Sequence, residues 1–214
     1  MKKKLLAVGD SFTWGDELED RSQAWPCLVA GLLDHEVHNM GLNGASNTSI
    51  LRITLKELAI NHYDLVIIGW TNPGRIEWKD QSDKPYNVWP GQIPAPGVWA
   101  TEPWRRNLIE YINRHHDSGY LYQMYLTYVI SLQSYLQVHN INYRMIDVTH
   151  DNYYRTAGGK QHNKLEAMID TKYFIGWKNF GMHSLAYEYP RGPVGHPLEQ
   201  GHIKIATAIR QSLQ

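Results

Sequence analysis

The run Leu65-Val66-Ile67-Ile68-Gly69-Trp70, entered through Tyr63-Asp64, is apolar at every position. A strand wetted on one face alternates apolar and polar residues. A run without alternation belongs where both faces are covered, which predicts a third strand at the middle of a parallel sheet. Lys4 to Val8, Glu36 to Met40 and Asn142 to Val148 read as further strands, and Lys172 to Trp177 as a short strand or an extended segment. Helical patterns lie between them. Over Ala24 to Leu33, Trp25, Leu28, Val29 and Leu32 recur at helical spacing, and Pro26 suits the first turn. Helices are also expected over Ser49 to Asn61, Arg105 to Asp117, residues 163–169 and Leu198 to Leu213, the last burying Ile203, Ile205, Ala206 and Ile209. A longer helix, Tyr120 to His139, presents Tyr122, Tyr125, Leu126, Val129, Leu132 and Leu136 on a wide apolar face. Alternating strands and helices predict an α/β fold: three layers, α/β/α, around a central parallel sheet in flavodoxin-like order.

At 214 residues the chain suits a single domain, 1–214, with a sizeable core. Lys plus Arg (21) balances Asp plus Glu (21), so charge gives no reason to expect a nucleic acid or an anionic membrane as partner. No stretch approaches a membrane span, and the apolar run after Met1-Lys2-Lys3-Lys4 is too short for a secretory signal. The lone Cys27 excludes an internal disulfide framework. It fits a reducing, cytoplasmic setting, and its place in an apolar helical run reads as a small core residue.

The first strand ends in Gly9-Asp10-Ser11, followed by Phe12-Thr13-Trp14-Gly15. Open α/β sheets bind their ligands beyond the carboxyl ends of the strands, and Ser11 stands there. Gly9 and Gly15 permit sharp turns, and Asp10 can accept from backbone N–H groups of the turn. No Gly-Lys-Ser/Thr follows, so a phosphate loop fits poorly. Residues 16–22 read as a polar, acidic loop. Asn39-Met40-Gly41-Leu42-Asn43-Gly44-Ala45-Ser46-Asn47 then leads directly into a helix, whose unpaired N–H groups offer a site for an oxyanion. Near the other end, Gly195-His196-Pro197 opens the closing helix; a histidine before proline is held in a defined orientation.

These segments resemble the blocks of the SGNH, or GDSL, hydrolases, from Gly9 to His202. The resemblance implies that Ser11 is a nucleophile, His196 its general base, and Gly44 an oxyanion donor through its N–H. The family's Gly-x-Asn-Asp block corresponds here to Gly69-Trp70-Thr71-Asn72, so the side-chain oxyanion donor is Asn72 or, alternatively, Thr71. The aspartate expected three residues before the histidine is replaced by Pro193. The third triad member is therefore open: a backbone carbonyl, Asp147 or Glu199 can hold the Nδ1 proton. His202, on the face of the closing helix, reads as structural. The implied activity is hydrolysis of an acyl ester, with no cofactor.

Asp147-Val148-Thr149-His150-Asp151, with His162 and His183 further on, clusters carboxylates and histidines, but nothing carries metal-ligand spacing, and no metal is expected. Residues 73–104 break the α/β rhythm with prolines, glycines and Trp78, Tyr86, Trp89, Trp99 and Trp104. The chain has 14 Tyr and 8 Trp against 3 Phe, and amphipathic rings of this kind suit sugar surfaces. The segment reads as an aromatic insertion at the site mouth, with Trp89 and Trp99 as substrate contacts and a small acyl ester of a carbohydrate as substrate. The competing function is a catalytically degenerate binding module on the same scaffold, using the insertion as its contact surface. The oligomeric state is not legible.

Overall fold

The computed structural model describes residues 2–79, 85–88, 103–149 and 163–214. Five parallel strands form the central sheet: β1 (Lys3–Val8), β2 (His35–Asn39), β3 (Leu65–Trp70), β6 (Tyr143–Asp147) and β7 (Phe174–Ile175). Their order is β2-β1-β3-β6-β7, with β3 in the centre as its unbroken apolar run requires. Between β3 and β6, β4 (Ile76–Lys79) and β5 (Pro85–Val88) pair as a separate antiparallel hairpin.

The period-two geometry of a strand sorts the core into two halves. Leu6, Val8, Val66, Ile68, Trp70 and Met145 face α3 (Asn47–Leu58) and α5 (Ser118–Val138). Leu5, Ala7, Leu65, Ile67 and Ile146 face α2 (Trp25–Leu33) and the closing helix, α8 (Glu199–Gln211). On α5, Leu126, Val129, Leu132 and Leu136 are all fully buried. Each such side chain contributes about 1.5–3 kcal/mol of hydrophobic stabilisation. Ser46 caps α3 by accepting from Ser49 N, and Asp117 caps α5 by accepting from Tyr120 N. α4 (Pro103–His115) packs Ile109 and Ile112 on Val88 of the hairpin, a small cluster outside the two main halves.

Several local expectations need correction. Ser11–Trp14 forms a short helix, α1, where a turn was expected, because Asp10 caps it: the side chain accepts from Phe12 N at 3.0 Å. Gly15 ends it at φ 82. Gly9 is required by close approach rather than by a sharp turn, since a Cβ there would lie 3.0 Å from the Gly69 carbonyl and closer still to Thr13. The segment after residue 73 contains the β4–β5 hairpin. Cys27 is half-buried; Leu32 is exposed at the edge of its helix's apolar stripe, and Ile203 is exposed because it falls outside the arc of Gly201, His202, Ile205, Ala206 and Ile209 that α8 buries. Trp89 and Trp99 lie outside the described residues. Further short α-helices among the described residues are α6 (Asn163–Glu166) and α7 (Met182–Leu185), and Arg21–Gln23 forms a 3-10 turn.

Candidate active site

Three strand ends and one helix entry converge at the carboxyl edge of the sheet. Ser11 is the first residue of α1, directly beyond β1, and is 2% exposed. Its Oγ lies 2.9 Å from His196 Nε2. His196 is delivered by a tight loop before α8. Arg191 bridges Pro197, Gly192 N donates to the His196 carbonyl at 3.0 Å, and Gly195 N donates to the Gly192 carbonyl at 2.9 Å.

The carboxylate facing His196 Nδ1 belongs to Glu17, with Oε2 at 2.9 Å. The same oxygen accepts from His196 N at 2.9 Å, and Oε1 accepts from Val194 N at 2.7 Å. Burial acts to raise the Glu17 pKa. The two backbone donors and the imidazole outweigh it, and the carboxyl is held below its usual range. Asp16 Oδ2 stands further off, 3.7 Å from Nδ1, and accepts from Asn43 Nδ2 at 2.8 Å. Glu17 adopts a left-handed backbone, φ 67, a conformation costing a non-glycine residue about 1 kcal/mol or more.

Neither carboxylate considered from the sequence reaches the histidine. Asp147 Oδ1 accepts from Tyr125 Oη at 2.6 Å, and Glu199 is exposed in the first turn of α8. Pro193 sits exposed in the His196 loop. Glu17 reaches His196 Nδ1 from the loop after α1 instead. It does so across Gly192, where a Cβ would lie 2.5 Å from Glu17 Cδ. The signal in the sequence was the acidic pair Asp16-Glu17 just after Gly15. As part of a polar loop it carried no mark of its partner, which is far away along the chain.

Gly44 takes φ 72, and neither its N–H nor that of Ser11 meets an acceptor among the described residues. Asn72 Oδ1 accepts from Gly74 N at 2.7 Å, which fixes the plane of its amide at the end of β3. The Thr71 hydroxyl donates to Asp10 Oδ2 at 2.7 Å, so its proton is directed beneath the site and away from its mouth. Asn47 brackets Thr71, accepting from its N–H at 2.9 Å and donating to its carbonyl at 3.1 Å. Asp10, 1% exposed, also meets Arg75 Nη1 at 3.0 Å, and the same nitrogen donates to the Ala45 carbonyl at 3.3 Å. Arg75 therefore ties the loops after β1, β2 and β3 together.

His202 is fully buried and Nδ1 accepts from Trp25 N, at the start of α2, at 3.2 Å. Burial above all, then the neighbouring His196, pushes its pKa down to about 4. It is a neutral structural link between α8 and α2. No group of three or more metal-ligating side chains occurs among the described residues. His150, Asp151 and His162 fall outside them. No helix described is long and apolar enough to cross a membrane.

Residues 14–187 match the model of a family described as "Family of unknown function (DUF6071)". The matched span lies between Ser11 and His196 and includes neither. No curated protein matches the chain in sequence. Solved structures do match it in three dimensions. TesA aligns with a TM-score of 0.61 at 15% identity, covering 99% of this chain and 98% of that one. The psychrotrophic esterase EstA from Pseudoalteromonas sp. aligns at 0.54 and 14% identity, covering 99% and 96%. An acetylxylan esterase from Geobacillus stearothermophilus aligns at 0.50 and 15% identity, covering 99% and 94%. Likeness at such identities establishes the fold: a central five-stranded parallel sheet flanked by helices, of SGNH-hydrolase type.

Proposed function

The chain belongs to the DUF6071 family, and we propose that it is a serine hydrolase of acyl esters. The observation that carries this reading is the Ser11 Oγ to His196 Nε2 distance of 2.9 Å, with a carboxylate at Nδ1 on the far side of the ring. Glu17 accepts a hydrogen bond from Nδ1–H, which keeps that proton on Nδ1 and presents Nε2 as the base. As Ser11 Oγ attacks the acyl carbonyl, its proton passes to Nε2 and the carbonyl oxygen gains charge. The N–H groups of Ser11 and Gly44 and the Asn72 amide receive that charge. A single donor of this kind is worth about 10²–10³ in kcat. Nε2–H then protonates the departing alcohol, and water, deprotonated by the same nitrogen, releases the acid from Ser11. No step needs a cofactor.

The likeness to an acetylxylan esterase supports a small acyl group on a carbohydrate as the substrate, with Trp89 and Trp99 as contacts. Alanine at both positions should raise KM for acetylated sugars; unchanged kinetics would remove the two residues from the site.

Covalent labelling by a fluorophosphonate, read by intact mass and peptide mapping, tests the central reading. One adduct on Ser11, absent in Ser11→Ala and in His196→Ala, is the expected result. No adduct on folded wild-type protein would overturn it and favour a binding module on the same fold.

A further inference from the structure

A row of rings leads away from Ser11. The His196 and Phe12 centroids are 5.7 Å apart, Phe12 and His183 6.4 Å, and His183 and Tyr187 6.0 Å. The row starts at the general base and ends at the surface, where Tyr187 is 66% exposed. It runs along the face of the sheet that packs on α2 and α8, where Phe12 and Met182 join the core. Gly44, whose N–H is an oxyanion donor in the proposed reaction, stands instead beside Ala45 and α3, in the core half on the other face.

Arg191 covers the outer half of this row. Its guanidinium carbon is 5.0 Å from the Tyr187 ring centroid. Nη1 donates to His183 Nε2 at 3.1 Å, and Nη2 donates to the Tyr187 carbonyl at 3.4 Å. Because Nε2 accepts, the neutral His183 ring carries its proton on Nδ1, and that N–H meets no acceptor among the described residues. No carboxylate among the described residues pairs with Arg191, although the side chain is only partly exposed. The result is a held, half-buried cation with N–H groups to spare, on the loop that carries His196.

Position gives this cation its meaning. In the proposed reaction Nε2–H of His196 must reach the oxygen of the departing alcohol. The alcohol portion therefore passes the imidazole on the side away from the oxyanion donors, which is the side of Phe12, His183 and Arg191. A planar guanidinium favours phosphate and carboxylate, to which it makes charge-assisted bonds. Partial burial shields such a contact from salt.

We propose that Arg191, with His183 and Tyr187, forms a leaving-group subsite for an alcohol bearing an anionic group, a phosphate or a carboxylate. The placement of the subsite rests on the ester-hydrolase reading; the binding of an anion there does not. Two measurements separate them. The first compares kcat/KM for acetyl esters of glucose, glucose phosphate and glucuronic acid. At least about a tenfold preference for an anionic ester is expected, carried by KM, and Arg191→Gln should bring that ester down to the level of the neutral one. Whichever anionic ester is preferred identifies phosphate or carboxylate as the recognised group. The second follows the His183 ring signals by NMR in Ser11→Ala protein titrated with glucose phosphate and with glucuronate. A saturable shift that Arg191→Gln abolishes is expected.

Binding without turnover of any ester would leave the anion subsite standing and sink the hydrolase reading. Turnover without preference and without a His183 shift would overturn the subsite alone. A shift that persists in Arg191→Gln would also overturn it, because the guanidinium would then not be the recognising group.

Discussion

Glu17 Oε2 and His196 Nδ1 stand 2.9 Å apart, so the carboxylate comes from the segment that closely follows the serine that His196 faces through its other nitrogen. Ser11 and Glu17 are joined by a single short helix and its Gly15 cap, while the histidine arrives from the far end of the chain. Glu17 also receives the backbone N–H groups of Val194 and His196. One carboxylate thus orients the ring and anchors the loop that presents it.

Replacing Glu17 by Gln should therefore act on kcat. An amide can offer Nδ1 a donor as well as an acceptor and so favours the wrong tautomer. We expect kcat on a simple acetyl ester to fall about 10²–10⁴-fold with little change in KM. Asp16→Asn should cost less than about tenfold, because its oxygen stands at 3.7 Å and is partly solvated. A Glu17→Gln enzyme within twofold of wild type would mean that the carboxylate is not needed.

Gly192→Ala tests the same contact from the other side. A Cβ at that position would lie 2.5 Å from Glu17 Cδ and Oε1, so the glutamate must move. The variant should lose activity as Glu17→Gln does while its circular dichroism stays native. In a Glu17→Gly background, which also removes the Glu17 Cβ that would stand at 2.8 Å, the added methyl should cost little more, a non-additivity that a double-mutant cycle reads directly. Fully additive losses would place the effect of Gly192 elsewhere.

Arg75→Met leaves Asp10 as a buried carboxylate whose remaining partners among the described residues are the Thr71 hydroxyl and Phe12 N. Breaking a buried pair by removing one member costs about 3–5 kcal/mol. For a chain of this length that is a fall in Tm of about 6–20 °C, measured by thermal denaturation. Asp10→Asn keeps one acceptor, for Phe12 N, and turns its NH2 toward the Thr71 hydroxyl, which can accept. The cation it leaves behind is partly exposed whereas the Asp10 carboxylate is buried, so this variant should cost less than Arg75→Met; the opposite order would contradict this account.

His202 makes a prediction about pH. Its folded pKa of about 4 lies below the unfolded value near 6.5, so between these limits the unfolded chain binds more protons than the folded one. Stability from this group is complete above about pH 6.5 and is lost as pH falls toward 4, by about 3 kcal/mol in all. His183, held low by burial and by Arg191, contributes in the same direction, so the comparison must be with a variant. In urea titrations at pH 7.5 and pH 5, His202→Gln should be less stable than wild type at the higher pH and should lose less on acidification. An equal loss in both proteins would show that the buried imidazole is not the source.

What was legible in the sequence was whatever is written in neighbouring residues. The unbroken apolar run of Leu65–Trp70 places β3 at the centre of the sheet because period-two geometry leaves no wet face. The apolar stripe of α5 announces a buried helix in the same way. Gly9-Asp10-Ser11 and His196-Pro197 mark two ends of the site because capping and proline geometry are local. The contacts that complete the site are not local. Glu17 in place of a residue at 193, Arg75 beneath Ser11, and Arg191 along the departing side each join segments far apart in the chain. Residues 16–22 read only as a polar, acidic loop, and no local pattern singles out Arg75 or Arg191. A carboxylate has no periodicity and no fixed spacing from the imidazole it orients. Only folding brings the two loops within hydrogen-bonding distance, so which acid faces His196 was decided by the tertiary structure.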